Sequence, residues 1–426
     1  MNHVVIVGGG VAGLELATRL GNRLGAQGKA QVTLVDRGAA HLWKPMLHTL
    51  AAGTGDGRLQ RVPYLAHAAQ HHFRFRPGPF TGLDRTRRRI SLGAVRAEDG
   101  ECLLPPQTLD YDLLVLALGS RADDFGTPGV AEYCHFIDSQ AEAESFNQAL
   151  RRLVLRALAG GATSEVAIVG GGATGVELAA SLVQLVEQLG GYGARDLHGR
   201  VGITLIESGP RLLPAFPERV SAQVEARLGA LGIRVRTRAR VVAATPDAYV
   251  LDDGTRIRST LKAWAAGVRG EAVPDGYDGL ETSRNGRLLV RPTLQATRDD
   301  RVFAVGDCAS LTLPGHDRPL APTAQVAHRQ ARHLSRQLPR VLAGESPREF
   351  VHRDLGALVP LGHYDAFGTL GQLGLFRGFL HGRLAHVGHA MLYRRHQAGL
   401  HGIWSGSLLW LAELLQRRVR PALRLD

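Results

Sequence analysis

At 426 residues the chain is too long for one ordinary core, and its 44% hydrophobic and 21% charged residues exclude a disordered or fibrous protein. The formal net charge of +12 comes almost wholly from arginine and reads as a compositional preference for Arg; no nucleic-acid-binding motif accompanies it, so no nucleic acid is expected as a partner. Cys102, Cys134 and Cys308 form no Cys-x-x-Cys pair, which argues against a disulfide framework and fits a reducing setting.

The chain opens on a β-rich run, Val4–Val7, followed by Gly8-Gly9-Gly10-Val11-Ala12-Gly13 and a helical pattern with Leu14, Ala17, Leu20 and Leu24 on one side. A second strand, Val32–Val35, ends in Asp36. This order of strand, glycine loop, helix, strand and acid is what a dinucleotide needs. Its pyrophosphate sits on backbone amides at a helix N-terminus, so Gly8, Gly10 and Gly13 must leave room for it. The carboxylate then accepts from adenosine ribose hydroxyls. No charged, apolar or cleavable leader precedes the first strand, and no secretory signal is expected. Arg85–Arg89 reads as a solvated turn before a strand starting at Ile90. A late apolar strand, Leu113–Leu118, leads into Gly119-Ser120.

The pattern then returns. Val166–Val169 enters Gly170-Gly171-Gly172-Ala173-Thr174-Gly175, a helix carries Leu178, Leu182, Leu185 and Leu189, and Ile203–Ile206 ends in Glu207. Gly170, Gly172 and Gly175 take the places of the first three glycines. Glu207 lies further on than Asp36 does, and a loop over Gly190–Ala194 accounts for the excess. A late strand, Leu261–Ala266, again closes on glycine, Gly267. One Gly-x-Gly-x-x-Gly is weak; two copies in matching order predict an α/β chain with two Rossmann-like domains.

Two elements remain open on the residues alone. Val302–Val305 ends in Gly306-Asp307, which serves either as strand-to-turn punctuation or as an exposed carboxylate for a ligand. Glu177, just after the second loop, is either a solvated glutamate complementing the helix dipole or a site residue. The eighteen histidines, including His71-His72 and His381, His386, His389, His396 and His401, have no Cys or carboxylate companions at ligand spacing, so no metal is expected. At the C-terminus, Leu408, Leu411, Leu415 and Val419 fall at helical spacing, with Trp404, Trp410, Arg417, Arg418 and Arg420 nearby. That helix is too short and interrupted to span a bilayer. It either packs on the protein or a second copy, or lies in a membrane surface.

Taken together, these residues resemble the two-dinucleotide-binding flavoprotein superfamily and, within it, the bacterial type II NADH dehydrogenases, single-subunit enzymes that do not pump protons. The resemblance rests on His41-Leu42-Trp43-Lys44-Pro45-Met46-Leu47-His48, Ala117-Leu118-Gly119-Ser120, Asp124–Val130, Trp264–Val268, Gly306–Ala309, Ala324–His328 and Leu392–Gln397, and covers essentially the whole chain. It implies FAD on Gly8, Gly10, Gly13, Asp36, Lys44, Pro45, Gly119, Asp307 and Gln325, and NADH on Gly170, Gly172, Gly175, Glu207 and Gly267. Gln325 would also lie near the quinone, and Glu177 would take the catalytic role between nicotinamide and quinone. Arg329 replaces a motif glutamine, and Gln330 beside it points about 100° away on a helix.

The domains implied are an FAD domain over 1–127 and 286–345, an NADH domain over 128–285, and a C-terminal region, 346–426, with an amphipathic membrane-binding helix. The expected enzyme passes electrons from NADH through FAD to a quinone at the cytoplasmic face of the cell membrane, held peripherally, with a homodimer left open. Residues 37–60 carry no cysteine, which sets the chain apart from disulfide reductases; a sulfide:quinone reductase needs separated catalytic cysteines that form a sulfur bridge, and the placement of Cys102, Cys134 and Cys308 reads instead as inert thiols. A soluble NADH oxidase or ferredoxin-type reductase, and a redox sensor without turnover, are the alternatives.

Overall fold

The computed structural model describes residues 1–55, 61–160, 163–354, 356–370, 379–381 and 383–419. The chain divides into two units. The first comprises Met1–Trp43, Gln60–Arg121 and Val268–His352; the second comprises Lys44–Leu59, Ala122–Gly267 and Arg353–Asp426.

In the first unit five parallel strands run in the order Val302–Ala304, Leu113–Leu116, Asn2–Val7, Ala30–Asp36 and Arg74–Pro77. Val4, Val5 and Ile6 are fully buried, as befits a central strand covered on both faces. Val7 pairs with both Val35 and Leu116, so the first glycine loop leaves the sheet where the strand order reverses. Open parallel sheets bind their ligands at that switch point. The Val11–Leu20 helix and a following π-turn, Gly21–Gly25, bury Leu14, Ala17, Leu20 and Leu24 as the periodicity predicts. The helix Ala324–Leu342 packs against it.

The second unit repeats the plan. Its parallel sheet has the order Arg234–Arg236, Val201–Ile206, Ser164–Val169 and Leu261–Trp264. Each unit also carries a three-stranded antiparallel meander: Phe80–Asp84, Arg89–Leu92 and Gln107–Asp110 in one, Val241–Ala244, Ala248–Leu251 and Arg256–Arg258 in the other.

Several local expectations need correction. The late strands stop at Leu116 and Trp264, earlier than their apolar runs. Beyond them Gly119 (φ 78°) and Gly267 (φ 71°) turn the chain through the left-handed region. The second nucleotide helix runs on through Gly190 and Gly191, because Tyr192 N–H still donates to Gln188 O and Leu189 O.

The C-terminal helix is longer than its apolar periodicity. It spans Arg383–Val419 and is broken at Gly402 (φ 82°, ψ 166°). Its two arms lie side by side: Gly406 packs on Ala398, Arg394 pairs with Glu413, and Gln397 Nε2 donates to Glu413 Oε1 at 3.3 Å. Beyond the break Trp404, Leu408 and Leu415 are 87%, 68% and 58% exposed, so the described chain does not cover that face. No helix among the described residues is long and apolar enough to cross a membrane. The side chains of His381, His386, His389, Arg417, Arg418 and Val419, and all of Arg420, lie outside the described residues.

Candidate nucleotide and flavin sites

The two glycine loops are built alike, atom for atom in their essentials. Gly8 has φ 103°, and a Cβ there would lie 2.3 Å from Ala117 O; one on Gly13 would lie 1.8 Å from Gly8 O. In the second loop Gly170 has φ 115° and faces Ala265 O at 2.6 Å, while Gly175 faces Gly170 O at 2.0 Å. These four glycines are required by the protein's own backbone. Gly10 and Gly172 differ: nothing lies within 4 Å of a Cβ at either, yet both are the N-cap of a buried helix and neither supplies a side-chain cap. Each helix therefore opens uncapped amides, and the positive end of its dipole, onto space that a glycine keeps clear. That arrangement fits a dinucleotide pyrophosphate.

Each acid is locked in the same way. Gly9 N–H donates to Asp36 Oδ2 at 2.6 Å and Gly38 N–H to Oδ1 at 2.7 Å. Gly171 N–H donates to Glu207 Oε2 at 2.7 Å and Gly209 N–H to Oε1 at 2.6 Å. Burial pushes the Asp36 carboxyl above its usual range, against the pull of the Gly9 and Gly38 N–H groups. Arg211, close to Glu207 in sequence, does not reach toward it. Its guanidinium donates to Phe216 O at 2.8 Å, Pro214 O at 3.0 Å and Ser221 Oγ at 2.5 Å, and so is engaged within its own loop.

Around Asp307 the first unit forms a tight turn, Gly306–Cys308. Ser120 Oγ donates to Asp307 Oδ2 at 3.0 Å, which joins the turn to the one after Gly119. Gly119 meets nothing within 4 Å of a Cβ, so it too keeps space open. Gln325 lies in the first turn of the Ala324–Leu342 helix, half-buried, and Arg329 is half-buried one turn on. Gln330 is turned inward and buried, and its Oε1 accepts from Gly306 N–H at 2.7 Å.

In the second unit Lys44 and Pro45 stand in a short 3-10 turn, Lys44–Met46. Lys44 Nζ is 3.1 Å from Asp138 Oδ1. Gly267 sits against Asp123 and Phe125 of its own unit, at 2.7 and 2.5 Å from a Cβ. Its close approach therefore involves a neighbouring loop rather than clear space.

Glu177 is not a solvated first-turn residue. It is 8% exposed, and its Oε2 lies 3.3 Å from Nδ1 of buried His48 on the helix Leu47–Ala52. Desolvation drives its carboxyl well above the ordinary range. The first unit holds a counterpart at the same distance past its loop: Glu15, also buried, pairs with His328 of Ala324–Leu342 and with Arg19 at 2.7 Å. Neither histidine partner is legible in the sequence, because each comes from far along the chain. The one available signal was a glutamate standing five residues after Gly10 and Gly172, within an otherwise apolar helix start.

The cysteines occupy three unrelated places. Cys102 is exposed and Cys134 partly buried, while Cys308 is buried. Burial pushes the Cys308 thiol up to about 11, which leaves it inert as a nucleophile. Among the described residues, no group of three His, Cys, Asp or Glu side chains could hold a metal ion.

A profile of the pyridine nucleotide-disulphide oxidoreductase family matches residues 2–331. The chain is 39% identical over 444 aligned positions, covering 100% of both sequences, to a type II NADH:quinone oxidoreductase of Haemophilus influenzae. It is 28% identical to one of Staphylococcus saprophyticus, across 86% of this chain and 89% of the other. Among solved structures it superposes on NDH2 from Plasmodium falciparum in complex with NADH, with a TM-score of 0.84 at 17% identity, over 99% of this chain and 100% of that one. A sulfide:quinone oxidoreductase from Aquifex aeolicus shares the fold, with a TM-score of 0.74 at 18% identity, over 99% and 96% of the two chains.

Proposed function

This chain belongs to the type II NADH:quinone oxidoreductases, within the pyridine nucleotide-disulphide oxidoreductase family, and from that premise we propose that it oxidises NADH and reduces a quinone through FAD. The observation that carries the reading is the pair of uncapped helix starts cleared by Gly10 and Gly172, one in each unit. Two dinucleotides are needed for this reaction, and the chain offers two cradles.

When bound, the flavin supplies the hydride acceptance and two-electron transfer that no amino-acid side chain provides. The chain's own groups do the rest. Gly8, Gly10, Gly13 and Asp36 are assigned to the FAD pyrophosphate and adenosine, with Lys44, Pro45, Gly119, Asp307 and Gln325 assigned to the remainder of that cofactor. Gly170, Gly172, Gly175, Glu207 and Gly267 are assigned to NADH. Glu207, already accepting from two backbone amides, presents a fixed negative charge that favours a 2′-hydroxyl over a 2′-phosphate. Glu177, whose carboxyl burial pushes well above the ordinary range and which faces His48, is suited to hold and pass one of the two protons that quinone reduction consumes. Gln325 is assigned to the quinone end of the flavin. The domain reading follows from these roles: FAD on 1–127 and 286–345, NADH on 128–285, and a C-terminal region over 346–426.

The acceptor is lipophilic, and the exposed row Trp404, Leu408, Leu411 and Leu415 supports peripheral attachment of that region to the cytoplasmic face of the membrane. The deciding experiment is NADH consumption by the FAD-loaded enzyme with a soluble quinone, with oxygen alone and ferredoxin as the other acceptors. Quinone-dependent turnover is expected; turnover with oxygen or ferredoxin but not quinone would overturn the reading. Removal of residues 404–426 should move the enzyme from membrane to soluble fractions while it keeps FAD and NADH–ferricyanide activity. A truncated enzyme that stays with the membrane would refute the anchor.

A further inference from the structure

Arg287 is a buried cation that no part of the proposed mechanism uses. It is 6% exposed and lies in the first unit just before the short strand Leu288–Leu289, which pairs with Ala309–Ser310. Its guanidinium is met by backbone carbonyls rather than by a carboxylate. Nε donates to Asp307 O at 2.8 Å, and Nη2 donates to Ala309 O at 2.5 Å and to Leu320 O at 3.4 Å. Charge-assisted bonds of this kind are among the stronger ones a protein makes. From the other side Gln330 accepts from Gly306 N–H, and the Cys308 thiol donates to Leu116 O at 3.3 Å. The turn that presents Asp307 is thus held along its whole backbone.

A brace alone would not need a charge. Taking a guanidinium out of water is costly, and a neutral amide could donate to the same carbonyls. The desolvation cost at Arg287 is opposed by the Asp307 carboxylate, so the cation sits within electrostatic reach of the residue assigned to FAD. We propose that Arg287 is a positioning residue for FAD, whose guanidinium fixes the Asp307 turn and whose charge favours the more negative, reduced state of the bound cofactor. A fixed charge in a low-dielectric site acts on whichever cofactor state differs from the other by a charge, which is how a protein tunes a redox group.

This inference rests on the assignment of Asp307 to FAD, and that assignment has its own control. Three holoenzymes, Arg287→Gln, Arg287→Lys and Asp307→Ala, are compared with wild type by the FAD dissociation constant, the flavin midpoint potential and the melting temperature. Arg287→Gln should weaken FAD by roughly tenfold or more, since at least one charge-assisted bond is lost, and should lower the midpoint potential. Arg287→Lys keeps the charge but cannot span the carbonyls, so it should recover the potential and only part of the affinity. A wild-type potential in Arg287→Gln, or an equally lowered one in Arg287→Lys, overturns the charge role while Asp307→Ala still loses FAD. If Asp307→Ala retains FAD with wild-type affinity, the Asp307 assignment falls and this inference falls with it. Should the Gln variant fail to fold, the Lys variant decides: an unchanged potential with weakened FAD supports the proposal, and a lowered potential refutes it.

Discussion

Replacing Gly10 and Gly13 in turn with alanine should break the same loop in opposite ways. At Gly10 the added methyl meets nothing within 4 Å, and the backbone there (φ −66°, ψ −165°) is open to any residue. The apoprotein should therefore be unharmed, or more stable by about 0.4–1 kcal/mol through the smaller entropy of its unfolded chain. The methyl occupies the space over the uncapped amides, however, and costs at least one charge-assisted hydrogen bond to the pyrophosphate. At about 1.5–3 kcal/mol per bond, FAD affinity should fall roughly 10- to 150-fold. At Gly13 the methyl would lie 1.8 Å from Gly8 O, a backbone atom that cannot swing aside. The expected cost there is about 1–3 kcal/mol or more of folding stability, before any cofactor is considered. Thermal melts of the FAD-free proteins, followed by fluorescence titration with FAD, read the two quantities separately. The reasoning is refuted if Gly10→Ala melts well below wild type, or if it binds FAD with undiminished affinity.

Glu177 gives a pH prediction with a definite sign. Its folded-state carboxyl is raised well above the ordinary 4.5, so its contribution to stability is fully present below that value. The contribution is lost as pH rises through the raised folded value. Glu177→Gln should match wild type in acid and melt higher than wild type at alkaline pH; parallel melting curves across a pH series would contradict this. For nucleotide choice, wild type should prefer NADH, Glu207→Gln should narrow that preference by about tenfold, and Arg211→Ala should leave it unchanged because Arg211 is engaged by Pro214 O and Phe216 O. A preference that collapses in Arg211→Ala would show the loop geometry to be misread. Gln325→Ala should slow quinone reduction more than ferricyanide reduction, whereas equal losses with both acceptors would point to general damage at the flavin.

The duplicated pattern was legible because local physics writes it into the sequence. A glycine loop between a β-rich run and an apolar helix, then an acid at a strand end, specifies one turn geometry with few alternatives. Gly8, Gly13, Gly170 and Gly175 could be grouped with Gly10 and Gly172 by spacing, yet their jobs differ. The first four yield to neighbouring backbone and the last two clear space for a ligand; for Gly8 and Gly170 that backbone is Ala117 and Ala265, which arrive from far along the chain, and for Gly13 and Gly175 it is the turn of the folded loop itself. The late strands end before their apolar runs do for a related reason: apolar character continues past Leu116 and Trp264, but left-handed glycines redirect the chain.

The sequence by itself determined the doubly built α/β plan, the two nucleotide loops with Asp36 and Glu207, and the apolar row at the C-terminus, since each depends on periodicity or on a short motif. Only the tertiary structure decided that Glu177 is buried against His48 and Glu15 against His328, that Gln330 turns inward to Gly306, and that Arg287 grips the Asp307 turn. It also brought Lys44–Leu59 into the same unit as Ala122–Gly267 and folded the C-terminal helix back at Gly402. For the buried groups the reason is common. A buried polar group takes its meaning from the partner that compensates its desolvation, and here the partners lie tens to hundreds of residues away, where no local pattern can announce them.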